Sequence, residues 1–96
     1  MEIILSPIAS TEDTTVSVSG LVVTVNGIEN DLSVIPEGGQ GEAEEGGPFV
    51  GIVTRDSVTV KYPYDTRTAA ANQSTDWADY TFDITDGVVP SPIIPR

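Results

Sequence analysis

The chain has 96 residues, 15 of them acidic against four Lys or Arg, for a formal charge of −11. That length fits one hydrophobic core, and so negative a surface repels phosphate backbones and anionic membranes, which argues against nucleic acid and membrane as partners. With neither Cys nor His in the sequence, disulfides, thiolate chemistry, the commonest general base and the commonest transition-metal ligands are all missing, and most enzyme mechanisms go with them.

The remaining composition, 39% apolar and rich in Val and Ile, predicts a folded body rather than a disordered chain. The opening MEIILSPIAS has no basic region and only a short apolar run before Ser6-Pro7, so it is expected to be a first strand, not a signal peptide or a membrane span. In TTVSVSGLVVTVNGIENDLS, apolar residues recur at period 2 with turn residues between the runs. Two-residue turns at Ser19-Gly20 and Asn26-Gly27 predict a three-stranded meander pairing Val18 with Leu21, Val16 with Val23, Val25 with Ile28 and Leu21 with Leu32. The same register sets Asn30 opposite Val23 on the apolar face, where its amide needs a partner or a strand end.

The tract PEGGQGEAEEGGP, Pro36 to Pro48, holds five glycines and four glutamates. Its like charges and glycines predict a flexible, solvated acidic loop over 36–48. A second hairpin is expected in FVGIVTRDSVTVKYPY, with a loop at Thr54 to Ser57 pairing Val53 with Val58, Gly51 with Val60 and Phe49 with Tyr62. Gly51 marks a bulge there, or room for a ring. YDTRTAAANQSTD has no periodicity and reads as a long loop. The last pair, DYTFDITDGVVPSPI, is expected to turn at Asp86-Gly87, with Pro90 and Pro92 confining its final strand to a sheet edge and leaving a proline-bearing tail over 90–96.

The sum is six to eight short strands and no helix longer than one turn. The expected fold is one all-β domain over 1–96, a small antiparallel β-sandwich or a partly open barrel built from hairpins.

For chemistry, the chain offers carboxylates. Asp76, Asp79 and Asp83 lie near Trp77, Tyr80 and Phe82, a mixture found in sugar-binding clefts, so Trp77 and Tyr80 are the candidate ligand contacts. Alternation favours the simpler arrangement with aromatics toward the core and acids toward water. For calcium, Asp83, Thr85, Asp86-Gly87 lacks the order of a calcium loop, and Glu42, Glu44 and Glu45 sit among glycines that lose much entropy on being fixed. Gly38-Gly39 and Gly46-Gly47 lack the Lys and Ser/Thr of a phosphate loop. No catalytic residue, cofactor or metal ligand is expected.

Four blocks in order, IILSPI, VSVSGLVVTVNGIENDLSVIPEG, FVGIVTRDSVTVKYPYD and FDITDGVVPSP, resemble a family of small proteins encoded by tailed bacteriophages and prophages beside tail and tail-fibre genes. The shared pattern is a leading I-x-L-S-P, a segment running through an Asn-Gly turn to Pro-Glu-Gly, a central hairpin and a late Asp-Gly. This chain departs from it at Ile28, which precedes Glu29 after the turn, and in the Gly/Glu tract. The resemblance supplies no catalytic residues. It implies a non-enzymatic structural or assembly-accessory protein, tail-associated, whose partners are phage structural proteins or further copies of itself. The implied location is the bacterial host cytoplasm during assembly, or the virion. The alternative is a stand-alone ligand-binding β-module for carbohydrate or calcium.

Overall fold

Alternation and turn chemistry give ten short strands in the computed structural model, which describes residues 1–43 and 46–96. In chain order they are β1 (Glu2–Ser10), β2 (Val16–Ser19), β3 (Val22–Val25), β4 (Ile28–Asp31), β5 (Gly41–Glu42), β6 (Phe49–Val50), β7 (Ile52–Val53), β8 (Ser57–Asp65), β9 (Thr81–Asp83) and β10 (Asp86–Val88). Single 3-10 turns occupy Leu32–Val34 and Trp77–Tyr80. The first sheet has the order β6-β8-β1-β9, the second β10-β2-β3-β4, and β5 pairs with β7. The fold is all-β, with no closed barrel among the described residues.

The meander forms as expected, with one register correction. Asn26 and Gly27 both take positive φ, 52° and 83°, as a type I′ turn demands, and Val25 pairs with Ile28. The preceding turn is centred on Gly20-Leu21 rather than Ser19-Gly20. Gly20 alone has positive φ there, 59°, the signature of a type II′ turn with Gly first. The ladder therefore pairs Val16 with Val25 and Val18 with Val23. A two-residue shift keeps every side chain on its face, so the apolar surface survives the error. Asn30 does oppose Val23, and its amide donates to the carbonyls of Val23 and Ile28 at 3.0 and 3.1 Å.

The longest ladder is not antiparallel. β1 and β8 run parallel from Glu2↔Ser57 to Ser10↔Asp65, a pairing between distant segments that local alternation does not specify. Pro7 and Pro63 lie inside these strands, where a missing N–H normally breaks a central ladder. Both fall where the outer neighbour has ended, since β9 reaches only Ile4 of β1 and β6 only Val60 of β8.

The second hairpin is broken at Gly51, whose φ is 71°. Thr54 N–H donates to Ser57 O at 3.0 Å, closing the expected loop, but beyond Gly51 the pairing is Phe49↔Val60 instead of Phe49↔Tyr62. The kink turns Ile52 and Val53 away to pair with Gly41 and Glu42. The tract 36–48 is thus not wholly an unpaired connector. It begins with a turn closed by Gly39 N–H to Pro36 O at 2.8 Å, with Gly38 at a φ of 74°, and then supplies β5. This extra strand and the split at Gly51 raise the count above eight.

Asp86-Gly87 is no hairpin turn. β9 joins β1 in the first sheet, whereas β10 joins β2 in the second; the chain crosses between sheets at Ile84-Thr85. As expected, β10 is an edge strand, and the chain beyond it peels away. The tail is held, however: Ala70 N–H donates to Ile94 O at 2.7 Å and Arg96 N–H to Thr68 O at 3.0 Å. Gln73 both donates to Ile94 O and accepts from its N–H, at 2.9 and 2.7 Å, standing in for a strand partner.

One core joins the sheets. Ile3, Leu5, Val58 and Val60 of the first pack with Val16, Val18, Val23 and Val25 of the second, each fully buried aliphatic contributing about 1.5–3 kcal/mol. Buried polar groups are satisfied. Thr14 donates its hydroxyl to Pro63 O at 2.8 Å, and Asp65 accepts the Arg67 backbone N–H and both ends of its guanidinium at 2.9–3.0 Å.

Candidate functional site

Asp76 starts the short turn that carries both candidate aromatics by accepting Ala78 N–H at 3.0 Å. Trp77 and Tyr80 then meet edge to face, with ring centroids 6.3 Å apart and planes at 71°. They are not equivalent. Tyr80 is 3% exposed and donates its hydroxyl to Ser74 O at 2.6 Å; burial raises its pKa above the ordinary 10.0. Trp77 is 59% exposed and, with Pro7, Ser74, Thr75 and Tyr80, lines a notch of about 180 Å³. Of the two rings, Trp77 is the one open to solvent, and Tyr80 packs against it.

The neighbouring carboxylates do not converge. Asp76 caps the turn, Asp79 accepts the Ser74 hydroxyl, and Asp83 faces the amino group of Met1 at 3.4 Å. Glu42 is exposed on β5, while Glu44 and Glu45 lie outside the described residues. Among the described residues, no three of Asp, Glu, His or Cys group closely enough to hold a metal.

A second concave region lies where the two sheets open. β4 ends the second sheet and β6 the first, and two adjoining hollows run between them. One, of about 330 Å³, is lined by Asn30, Leu32, Ile35, Pro48, Phe49 and Val53 among others. The next, of about 300 Å³, shares Asn30, Gly47 and Pro48 with it and continues past Ile28 to Lys61 and Pro63. The far wall is pinned by Arg55, which donates to Ile35 O and, at 2.8 Å, to Ser33 O. At the rim, hydrogen bonds from Ser33, side chain and backbone, hold the Asp31 carboxyl below its ordinary 3.8.

Sequence reasoning passes over this seam and over Arg55. The signal available is Leu32, Val34 and Ile35, an apolar group that follows directly on a strand ending in Asp31. It is too short for a strand and too apolar for a plain connector. No protein-family model, curated protein or solved structure matches the chain.

Proposed function

We propose that this chain is a non-catalytic structural or assembly-accessory protein of a tailed phage or prophage, tail-associated and acting through protein–protein contacts. The observation that carries the reading is the ordered set of four sequence blocks, IILSPI through FDITDGVVPSP, that resemble the pattern of that family. In support, these blocks coincide with strands of both sheets: β1, then β2 to β4, then β6 to β8, then β9 and β10. The order that carries the resemblance is therefore an order of fold-building segments. Apolar side chains left exposed at sheet edges, Ile28 and Val88 among them, suit a body completed by contact with a neighbour. The test is mass spectrometry of purified virions and of assembly intermediates. Detection in either is the expected result, and absence from both defeats the proposal.

One observation favours a second reading, a carbohydrate-binding module: the solvent-facing ring of Trp77 beside its notch. Sugar rings stack on such faces. A glycan array run with the wild type and Trp77→Ala decides it, because binding that is lost in the variant supports the module and no signal in either removes it. The calcium form of this reading has no carboxylate cluster among the described residues behind it, and calorimetry with calcium tests it directly.

A further inference from the structure

The seam has a backbone side as well as a side-chain side. Leu32 N–H donates to Leu21 O at 2.8 Å, and in an antiparallel ladder bonding residues alternate. Ile28 and Asn30 therefore direct their backbone groups toward β3, Glu29 directs both of its outward, off the end of the second sheet, and Asp31 directs its N–H outward while its C=O caps the 3-10 turn Leu32–Val34. Side chains alternate in the same way. Ile28 lies on the apolar face opposite Val25 yet is 68% exposed, because no further strand among the described residues covers it. Glu29 and Asp31 are exposed on the other face, and Glu42 stands exposed on β5 across the seam.

We propose that the seam between β4 and β6 is a strand-acceptor groove for an extended segment of another protein, one whose residues alternate between apolar and Lys or Arg. This rests on the contact-protein reading and names the chemistry of the partner. A strand laid against β4 takes backbone hydrogen bonds from Glu29 and Asp31. Its apolar side chains cover Ile28 and enter the hollow beside Phe49, and its cations face Glu29, Asp31 and Glu42. The same rim rejects a second copy of this chain, because pairing β4 with β4 sets Glu29 and Asp31 against like charges on bodies that each carry −11. Acids on a short edge strand also guard against casual pairing. That guard leaves a partner of opposite charge admissible.

The probe is a short capped peptide of alternating Val and Lys, added to the full-length protein, with amide exchange read by NMR. The control peptide has the same composition with Val and Lys in separate blocks, so net charge is constant and only alternation differs. The expected result is about tenfold slower exchange at the Glu29 and Asp31 amides with the alternating peptide, and little change with the block peptide. Equal protection by both reduces the effect to general charge attraction and overturns the inference, as does protection confined to β10 or absent altogether. Glu29→Pro removes an outward N–H while leaving the bonds to β3, and about tenfold weaker peptide binding is expected. If that variant fails to fold, Glu29→Lys with Asp31→Lys keeps the backbone and is expected to lose affinity for the Lys peptide; unchanged affinity overturns the proposal. A doubled light-scattering mass with protected β4 amides and no peptide identifies the occupant as a second copy, which also overturns it. Failure here while the chain is found in virions removes the groove and leaves the contact reading standing.

Discussion

The two sheets are assembled by opposite routes. In the second, β2, β3 and β4 are consecutive and joined by two-residue turns, so most of its pairing is settled within a short stretch of chain. In the first, β1 binds β8 on one side and β9 on the other, partners that lie far along the sequence. Local turns position one sheet, and burial positions the other. Because Ile3 and Leu5 face the same core as Val16 and Val23, neither sheet has an apolar interior of its own, and the difference in assembly does not become a difference in stability. The molecule is expected to unfold as a unit.

The sharpest test is Leu5→Ala, which removes a fully buried side chain from β1 and is expected to cost about 2–5 kcal/mol. Urea unfolding followed by Trp77 fluorescence and by far-ultraviolet circular dichroism should shift by the same amount. If the dichroism midpoint stays put while fluorescence moves, the hairpin sheet is independently stable and the shared core is not the link. Gly27→Ala attacks the local route instead. A side chain at a φ of 83° meets no neighbouring atom, so the cost is backbone strain alone, about 1–2 kcal/mol, and exchange should rise first at β3 and β4.

Thr14→Val probes the strap between the sheets. Deleting the hydroxyl that reaches Pro63 O is expected to cost about 0.5–1.5 kcal/mol, read as a lower urea midpoint with an unchanged slope. Arg67→Gln has the smallest effect, since Arg67 is itself exposed. Arg67 holds the Asp65 pKa below its ordinary 3.8, first by side-chain and then by backbone hydrogen bonding. A lowered folded-state pKa stabilises above the unfolded value and is lost as pH falls through the folded one. The variant should therefore be less stable than wild type at neutral pH, and the two curves should converge in the acid limb below pH 3.8. A gap that persists there assigns the effect to packing.

What the sequence discloses follows this division. The meander is legible because Asn26-Gly27 fixes both conformation and register, and Gly20 nearly does so; there the choice between Ser19-Gly20 and Gly20-Leu21 depends on which turn position glycine occupies. The parallel β1–β8 pairing leaves no local trace, because alternation says which face a strand buries and nothing of which strand lies beside it. Asp86-Gly87 misleads for a related reason. A dipeptide suited to a turn is also tolerated in an edge strand, and Val16 and Val18 of β2 compete for it. Of the candidate site, Trp77 and Tyr80 are visible as residue types, but their unequal exposure depends on how the short turn that carries them packs against β1, which their local sequence does not specify. The seam stays hidden because it is a relation between two sheet edges.

The parallel pair also sets an order of events during synthesis. β1 leaves the ribosome before any strand of its own sheet, and Glu2 waits for Ser57, its partner 55 residues later. In the interval the meander can close on a microsecond timescale, while Ile3 and Leu5 have no sheet to join. β1 is made before either partner and is among the last strands of this fold to be secured, so newly made chains should be most vulnerable to capture by chaperones or by one another before β8 emerges.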